Sequence, residues 1–181
     1  MMANEKPFPP VKLVCGIISS APGVAAEAEK RLTALYGAVD LRSPVFPFDL
    51  TYYYEAEMGP GLERRFLSFA ELIQPETLAD IKLRTNALEE EIRRDLGCAL
   101  RVVNLDPGYL TAAALIMATA KDFAHRIPLR EGIYAHLELL FSRTEIKVLD
   151  WTYPDLRGEG YREFFRDVRA KFLGQRPRQE P

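Results

Sequence analysis

Ile133–Trp151, IYAHLELLFSRTEIKVLDW, is the stretch on which the fold class turns. Ile133–Phe141 and Glu145–Trp151 are two strand-forming runs around Ser142-Arg-Thr144, which predicts a β-hairpin. Hairpin strands run antiparallel, so a purely parallel doubly wound sheet is excluded. Toward the N-terminus, Val11–Ser20 (VKLVCGIISS) is apolar, rich in β-branched residues and ended by Ser-Ser-Ala-Pro-Gly. It reads as a buried first strand. The order strand, helix, strands, helices, strand, helix, hairpin, helix predicts one α+β (mixed α/β) domain, with helices packed on a mixed, mostly antiparallel sheet.

The elements between follow from local signals. Ala25–Tyr36 is expected as a helix, with Ala25, Ala28, Leu32 and Leu35 on one face and Gly37 as its stop. Pro44 and Pro47 break Val39–Tyr54, so a strand there belongs at an edge. Leu50–Glu57 alternates as a strand would, and Met58-Gly-Pro-Gly61 is a turn. The clearest helix runs over Glu76–Leu96, where Leu78, Ile81, Thr85, Leu88, Ile92 and Leu96 form one stripe. Pro75 suits its first turn, Thr77 and Asp80 offer a capping box, and Gly97 ends it. Glu89–Arg93 and Glu90–Arg94 have the spacing of helical ion pairs. Leu100–Leu105 reads as a strand stopped by a type II turn at Asp106-Pro-Gly108, and Thr111 as the N-cap of a helix to about Ala124. Tyr161–Phe172 is a last amphipathic helix. Residues 1–10 read as a lead-in, 11–173 as the domain and 174–181 as a loose tail.

The 181 residues are 48% hydrophobic and 28% charged, with a formal charge of −2, which is ordinary usage for a globular domain. That charge argues against a broad nucleic-acid or membrane footprint. No run is long enough to span a bilayer. Cys15 and Cys98 read as reduced core residues, so a cytoplasmic location is expected, and a homo-oligomer is compatible with the sequence. P-loop, GxGxxG, HExxH, GxSxG, EF-hand and zinc-finger spacings are missing, and only His125 and His136 are present.

The remaining chemistry is concentrated between Thr51 and Arg126. On a strand over Thr51–Glu57, Tyr53, Glu55 and Glu57 share one face and Tyr52 and Tyr54 the other, with the two carboxylates roughly 7 Å apart. Such a pair can ligate Mg²⁺ or divide acid and base roles, or simply form a solvated sheet face. Lys82, Asn86, Glu89 and Arg93 lie side by side on the long helix and flank its apolar stripe, as boundary residues also do. Asn104-Leu-Asp-Pro-Gly-Tyr109 ends a strand where α/β proteins display site residues, and Asp106 is equally a good first residue of a turn. Lys121, Asp122, His125 and Arg126 gather at a helix end, as an anion site or as cations answering the helix dipole. His136 reads as structural. Trp151 and Tyr153 cover a core edge, while Asp155 and Arg157 pair locally or reach the site.

At these residues the chain resembles a bacterial family known as domain of unknown function 4416. The resemblance is carried by Tyr52-Tyr-Tyr-Glu55, Glu57-Met-Gly59, Arg64, Lys82 with Thr85 and Asn86, Glu89, Asn104–Tyr109, Ala118-Thr119, Lys121-Asp122, His125-Arg126, Gly132-Ile-Tyr134 and Trp151–Asp155. It covers nearly the whole chain. It departs at Ala135-His136, where the family has an acidic residue, and at Pro128, where it has an aromatic. The resemblance implies a bacterial cytoplasmic protein and no established reaction.

The resulting expectation is a site for an anionic, phosphorylated small molecule. Arg64, Lys82, Asn86, Asn104, Lys121 and Arg126 would bind it. Glu57 and Glu89 would hold Mg²⁺, with Asp106 as base and His125 or Tyr109 carrying protons in phosphoryl or phosphoester chemistry. The alternative is a non-catalytic binding or assembly module whose polar groups pair among themselves. A stacking platform for nucleic acid at Tyr52–Tyr54 is disfavoured by Glu55 and Glu57.

Overall fold

In the computed structural model, which describes residues 5–51 and 53–175, all nine residues of β1 (Val11–Ser19) are buried. A strand apolar on both sides must lie inside a sheet covered on both faces, and β1 does. It pairs antiparallel with β4 (Glu63–Ile73) on one side and β5 (Asn104–Leu110) on the other. Beyond β4 lies β2 (Val39–Arg42). Beyond β5 come β6 (Ala114–Thr119), β8 (Ile133–Phe141) and β7 (Ile127–Arg130). The short β3 (Phe46–Pro47) pairs with β4, and β9 (Ile146–Val148) closes the expected hairpin on β8. Every one of these pairings is antiparallel, so the fold is α+β with an open antiparallel sheet.

One sheet face is covered by α1 (Pro22–Tyr36) and α3 (Leu78–Asp95). Leu13, Cys15 and Ile17 of β1 meet Ala28, Leu32, Leu88 and Ile92 there. The other face is covered by α4 (Glu159–Gln175), whose Phe164, Phe165, Val168 and Phe172 pack on Val14, Phe66 and Leu139. The two-residue alternation of β1 thus feeds two separate cores. Cys15 and Cys98 are both free thiols, but only Cys15 is buried. No helix among the described residues is long and apolar enough to cross a membrane.

Five local readings are corrected. Leu50–Glu57 is not a strand: its end forms the short helix α2 (Glu55–Met58), so Glu55 and Glu57 do not share a sheet face. Tyr52 lies outside the described residues. Asp106-Pro-Gly108 is not a turn, because β5 runs straight through it. Thr111 does not cap a helix. Its hydroxyl accepts from the Ala113 and Ala114 N–H groups in a tight connection, and the alanine-rich run after it is β6. Thr77 forms no capping box either, since its hydroxyl donates to the Gln74 carbonyl. Gly174 and Gln175, expected in the tail, are helical, and Gln175 accepts a hydrogen bond from Lys12. Residues 1–4 and 176–181 lie outside the described residues.

The course of β5 creates the site. It pairs with β6 only over Gly108–Leu110 against Leu115–Met117, although β5 starts at Asn104 and β6 continues to Thr119. Pro107, with no N–H to give, sits where the two strands part. At the apex, a Cβ on Gly108 would fall 2.4 Å from Met117 Sδ and 2.6 Å from the Ile116 carbonyl oxygen. The strands therefore touch at Gly108 and diverge immediately before it, leaving a fork inside the sheet.

Candidate functional site

A cleft of about 800 Å³ fills this fork, a volume suited to a small organic molecule. Asn104 and Asp106 of β5 line one side, and Met117, Ala118 and Thr119 of β6 the other. Lys82, Asn86 and Glu89 enter from α3, Arg64 from β4, and Tyr153 and Asp155 from the segment before α4. Tyr53 and Tyr54 form the rim with Phe48, Arg101 and Lys121.

The floor is an ion network. Arg64 Nη1 donates to Asp155 Oδ2 at 2.5 Å and Nη2 to Asp106 Oδ2 at 3.0 Å, with the guanidinium carbon 4.6 Å from the Phe66 ring centre. Gly16 of β1 leaves room for it: a Cβ there would lie 3.1 Å from Arg64 Nε and Nη2. Lys82 Nζ donates to the Leu105 carbonyl at 2.7 Å and stands 3.8 Å from Asp106 Oδ1. Glu89 accepts from the Leu105 N–H at 2.6 Å and from Arg101 Nη2 at 2.5 Å, and the same Arg101 nitrogen reaches Asn104 Oδ1 at 2.6 Å. Burial by itself raises the Asp106 carboxyl, yet Arg64, Lys82, the Asn104 amide and Arg101 together outweigh it and hold the group below its ordinary value. At Glu89 burial wins, and its carboxyl is raised despite Lys82 and Arg101.

Lys121 is different. Its ammonium lies 3.4 Å from the Tyr53 ring centre and 5.7 Å from that of Tyr54, a cation–π arrangement at the mouth of the cleft. Four cations and three carboxylates line the cleft. Arg64, Lys82 and Arg101 each have a carboxylate partner, so among the described lining residues Lys121 alone carries an unmatched charge.

Of the residues singled out from the sequence, Arg64, Lys82, Asn86, Glu89, Asn104, Asp106 and Lys121 come together here. Four do not. Tyr109 packs with Leu78, Ala79, Ala118 and Ile133 on the α3 side. Glu57 is on the outside, its carboxylate 3.9 Å from Arg101. Because residues 120–126 form a loop rather than a helix end, Lys121, His125 and Arg126 point apart. His125 stacks on Trp151 at 4.9 Å, while Arg126 donates to the Lys121 carbonyl and to the Tyr153 hydroxyl behind the wall. Glu57 and Glu89 meet Arg101, not each other, and among the described residues no group of three or more His, Cys, Asp or Glu could hold a metal ion. The expected Glu89–Arg93 helical pair is absent, since Glu89 turns inward to Arg101 and Arg93 pairs with Glu90.

Arg101 was not anticipated, Tyr153 was expected only at a core edge, and Tyr54 only on a strand face. An arginine inside the apolar run Leu100–Val103 is the signal that could have found the first. Behind the wall, His136 Nδ1 and Glu138 Oε1 lie 3.2 Å apart but not aligned as a hydrogen bond, and Glu138 Oε2 accepts from the Tyr153 N–H. Burial lowers the imidazole to about 4 and raises the carboxyl to about 8, favouring the neutral form of each.

This pair sets a pH dependence. From pH 4.5 to 6.5, folded and unfolded chains each hold one proton on the pair, so Glu138's loss of stability with rising pH cancels His136's gain. From 6.5 to about 8 only the folded chain holds it, and stability falls by about 2 kcal/mol as pH rises. Urea unfolding of a Glu138→Gln variant is expected to lose this fall. An identical fall in the variant would assign it to other groups.

Searches against curated proteins and against solved structures return no match. The model of one family, Domain of unknown function (DUF4416), matches residues 9–172, which include every strand, every residue lining the cleft and all but the last turn of α4. The chain belongs to that family.

Proposed function

We propose that the cleft binds a small anionic organic molecule, with Lys121 as the group that meets its charge. The observation that carries this reading is the unmatched Lys121 ammonium at the mouth of a cleft whose floor ions balance one another. A floor already neutral gains little from a second charge. A mouth with one surplus cation gains a charge-assisted contact worth about 1.5–3 kcal/mol. The acidic residues serve as partners of Arg64, Lys82 and Arg101 in this reading, which does not favour a Mg²⁺-dependent phosphoryl transfer through Glu57 and Glu89. The self-paired floor also supports a structural role for Arg64, Asp106 and Asp155, as in a binding or assembly module whose polar groups pair among themselves, but that alternative expects no open cleft above them.

Thermal melting against a panel of small organic phosphates and carboxylates tests the reading. At least one is expected to raise Tm in a saturable way. Lys121→Met, an exposed change that leaves the floor intact, is expected to weaken that binding by about tenfold or more. A panel without effect, or a Lys121→Met protein that binds unchanged, would overturn the proposal.

A further inference from the structure

The floor of the cleft has its own chemistry, and it differs from that of the mouth. Asn104 is 2% exposed; its Oδ1 is held by Arg101, while its Nδ2 forms no well-aligned hydrogen bond and only leans toward the Asp106 carboxylate. A buried donor without an acceptor costs about 1–3 kcal/mol, and a ligand atom arriving there would remove that cost. Asn86, one turn along α3 from Lys82, lines the cleft and forms no side-chain hydrogen bond with the described residues, so its donor and its acceptor are both uncommitted among them. Asp106 commits Oδ2 to Arg64, while Oδ1 stands 3.8 Å from Lys82 and keeps accepting capacity.

These groups offer donors and acceptors side by side. A hydroxyl uses both, donating to Asp106 and accepting from Asn104 or Asn86. A phosphate or carboxylate cannot, because it only accepts, and beside Asp106 and Glu89 it would meet like charge. The neutral floor thus offers an anion no net attraction, and the charge belongs at Lys121. The tyrosine pair at the rim adds an apolar flank along the path between the two ends.

From this polarity we infer that the ligand is a phosphorylated or carboxylated polyol of the sugar phosphate class, bound with its hydroxyls on Asp106, Asn104 and Asn86 and its anionic group outward at Lys121. The inference rests on the anion-binding reading above and adds what lies behind the charge.

Calorimetric titration of the whole chain with ribose 5-phosphate, glucose 6-phosphate and glycerol 3-phosphate, beside the hydroxyl-free butyl phosphate, separates the two ideas. At least one hydroxylated phosphate is expected to bind about tenfold or more tightly than butyl phosphate, one or two floor hydrogen bonds being worth that ratio. Asn86→Ala, which breaks no hydrogen bond among the described residues, is expected to reduce this preference severalfold and to leave butyl phosphate unchanged. If butyl phosphate binds as well as the hydroxylated compounds, the floor does not read hydroxyls and this inference fails, while the anion reading stands. If no phosphate binds but ribose or glucose does, the floor reading stands and the anion reading fails. Binding of neither class overturns both.

Discussion

Replacing Arg64 with methionine is expected to lower the unfolding free energy by about 3–5 kcal/mol, the loss typical of a buried ion pair broken from one side. Arg64 is 2% exposed and answers two carboxylates at once, Asp106 and Asp155. Its own positive charge is favoured against burial by those two acids. Methionine fills much of the volume over Phe66 and Gly16 but leaves both acids facing a low-dielectric interior. Urea unfolding of Arg64→Met gives the first number. The triple variant Arg64→Met, Asp106→Asn, Asp155→Asn gives the second, and it is expected to recover more than half of the loss. A triple variant no more stable than the single one would mean that the arginine acts through packing, not through charge.

Gly108→Ala is expected to cost about 3 kcal/mol, at the upper end of the range for overpacked positions. The Met117 side chain can swing away from the new methyl, but the Ile116 carbonyl is backbone and cannot move without β6. Relief therefore requires β5 and β6 to separate at the apex of the fork, where their few shared hydrogen bonds begin. The same displacement would carry Asp106 away from Lys82 and Arg64, so weaker binding of any cleft ligand should accompany the lower stability. Unfolding curves at neutral pH check the first effect. A stable Gly108→Ala protein with wild-type midpoint would show that the strands have slack at this point.

These two positions also show how far the sequence could be read. Asp-Pro-Gly has the chemistry of a turn, and nothing local distinguishes it from one. The strand persists because β1, pairing with Asn104–Leu110 on its other side, holds the backbone extended through the proline. Likewise Ala112–Ala114 favours a helix locally, but Leu115 and Met117 are needed in the α4-facing core, and pairing with β8 keeps that run extended. Both errors are cases of long-range pairing overriding propensity. The long amphipathic helix, the buried first strand and the hairpin were legible because periodicity and burial agree there. So was the convergence of seven polar residues on the cleft, since polar side chains beside an apolar stripe have few places to go. What could not be read is the loop geometry of 120–126, which sends Lys121 toward the cleft and Arg126 and His125 away from it. The ion pairs that bind Arg64 to residues 42 and 91 positions away were equally out of reach.

An open antiparallel sheet normally keeps the side chains of its two faces apart by the thickness of its backbone. The parting of β5 from β6 removes that partition over a few residues, so that a lysine carried by a helix on one face and an arginine seated against the core on the other hold the same aspartate. The cleft thereby has two independent handles. Variation in α3 can retune the donors offered to a ligand without disturbing the α4 core, and variation near Asp155 can retune the charge below it without disturbing α3. A seam of this kind lets the lining of the cleft change while the fold is kept.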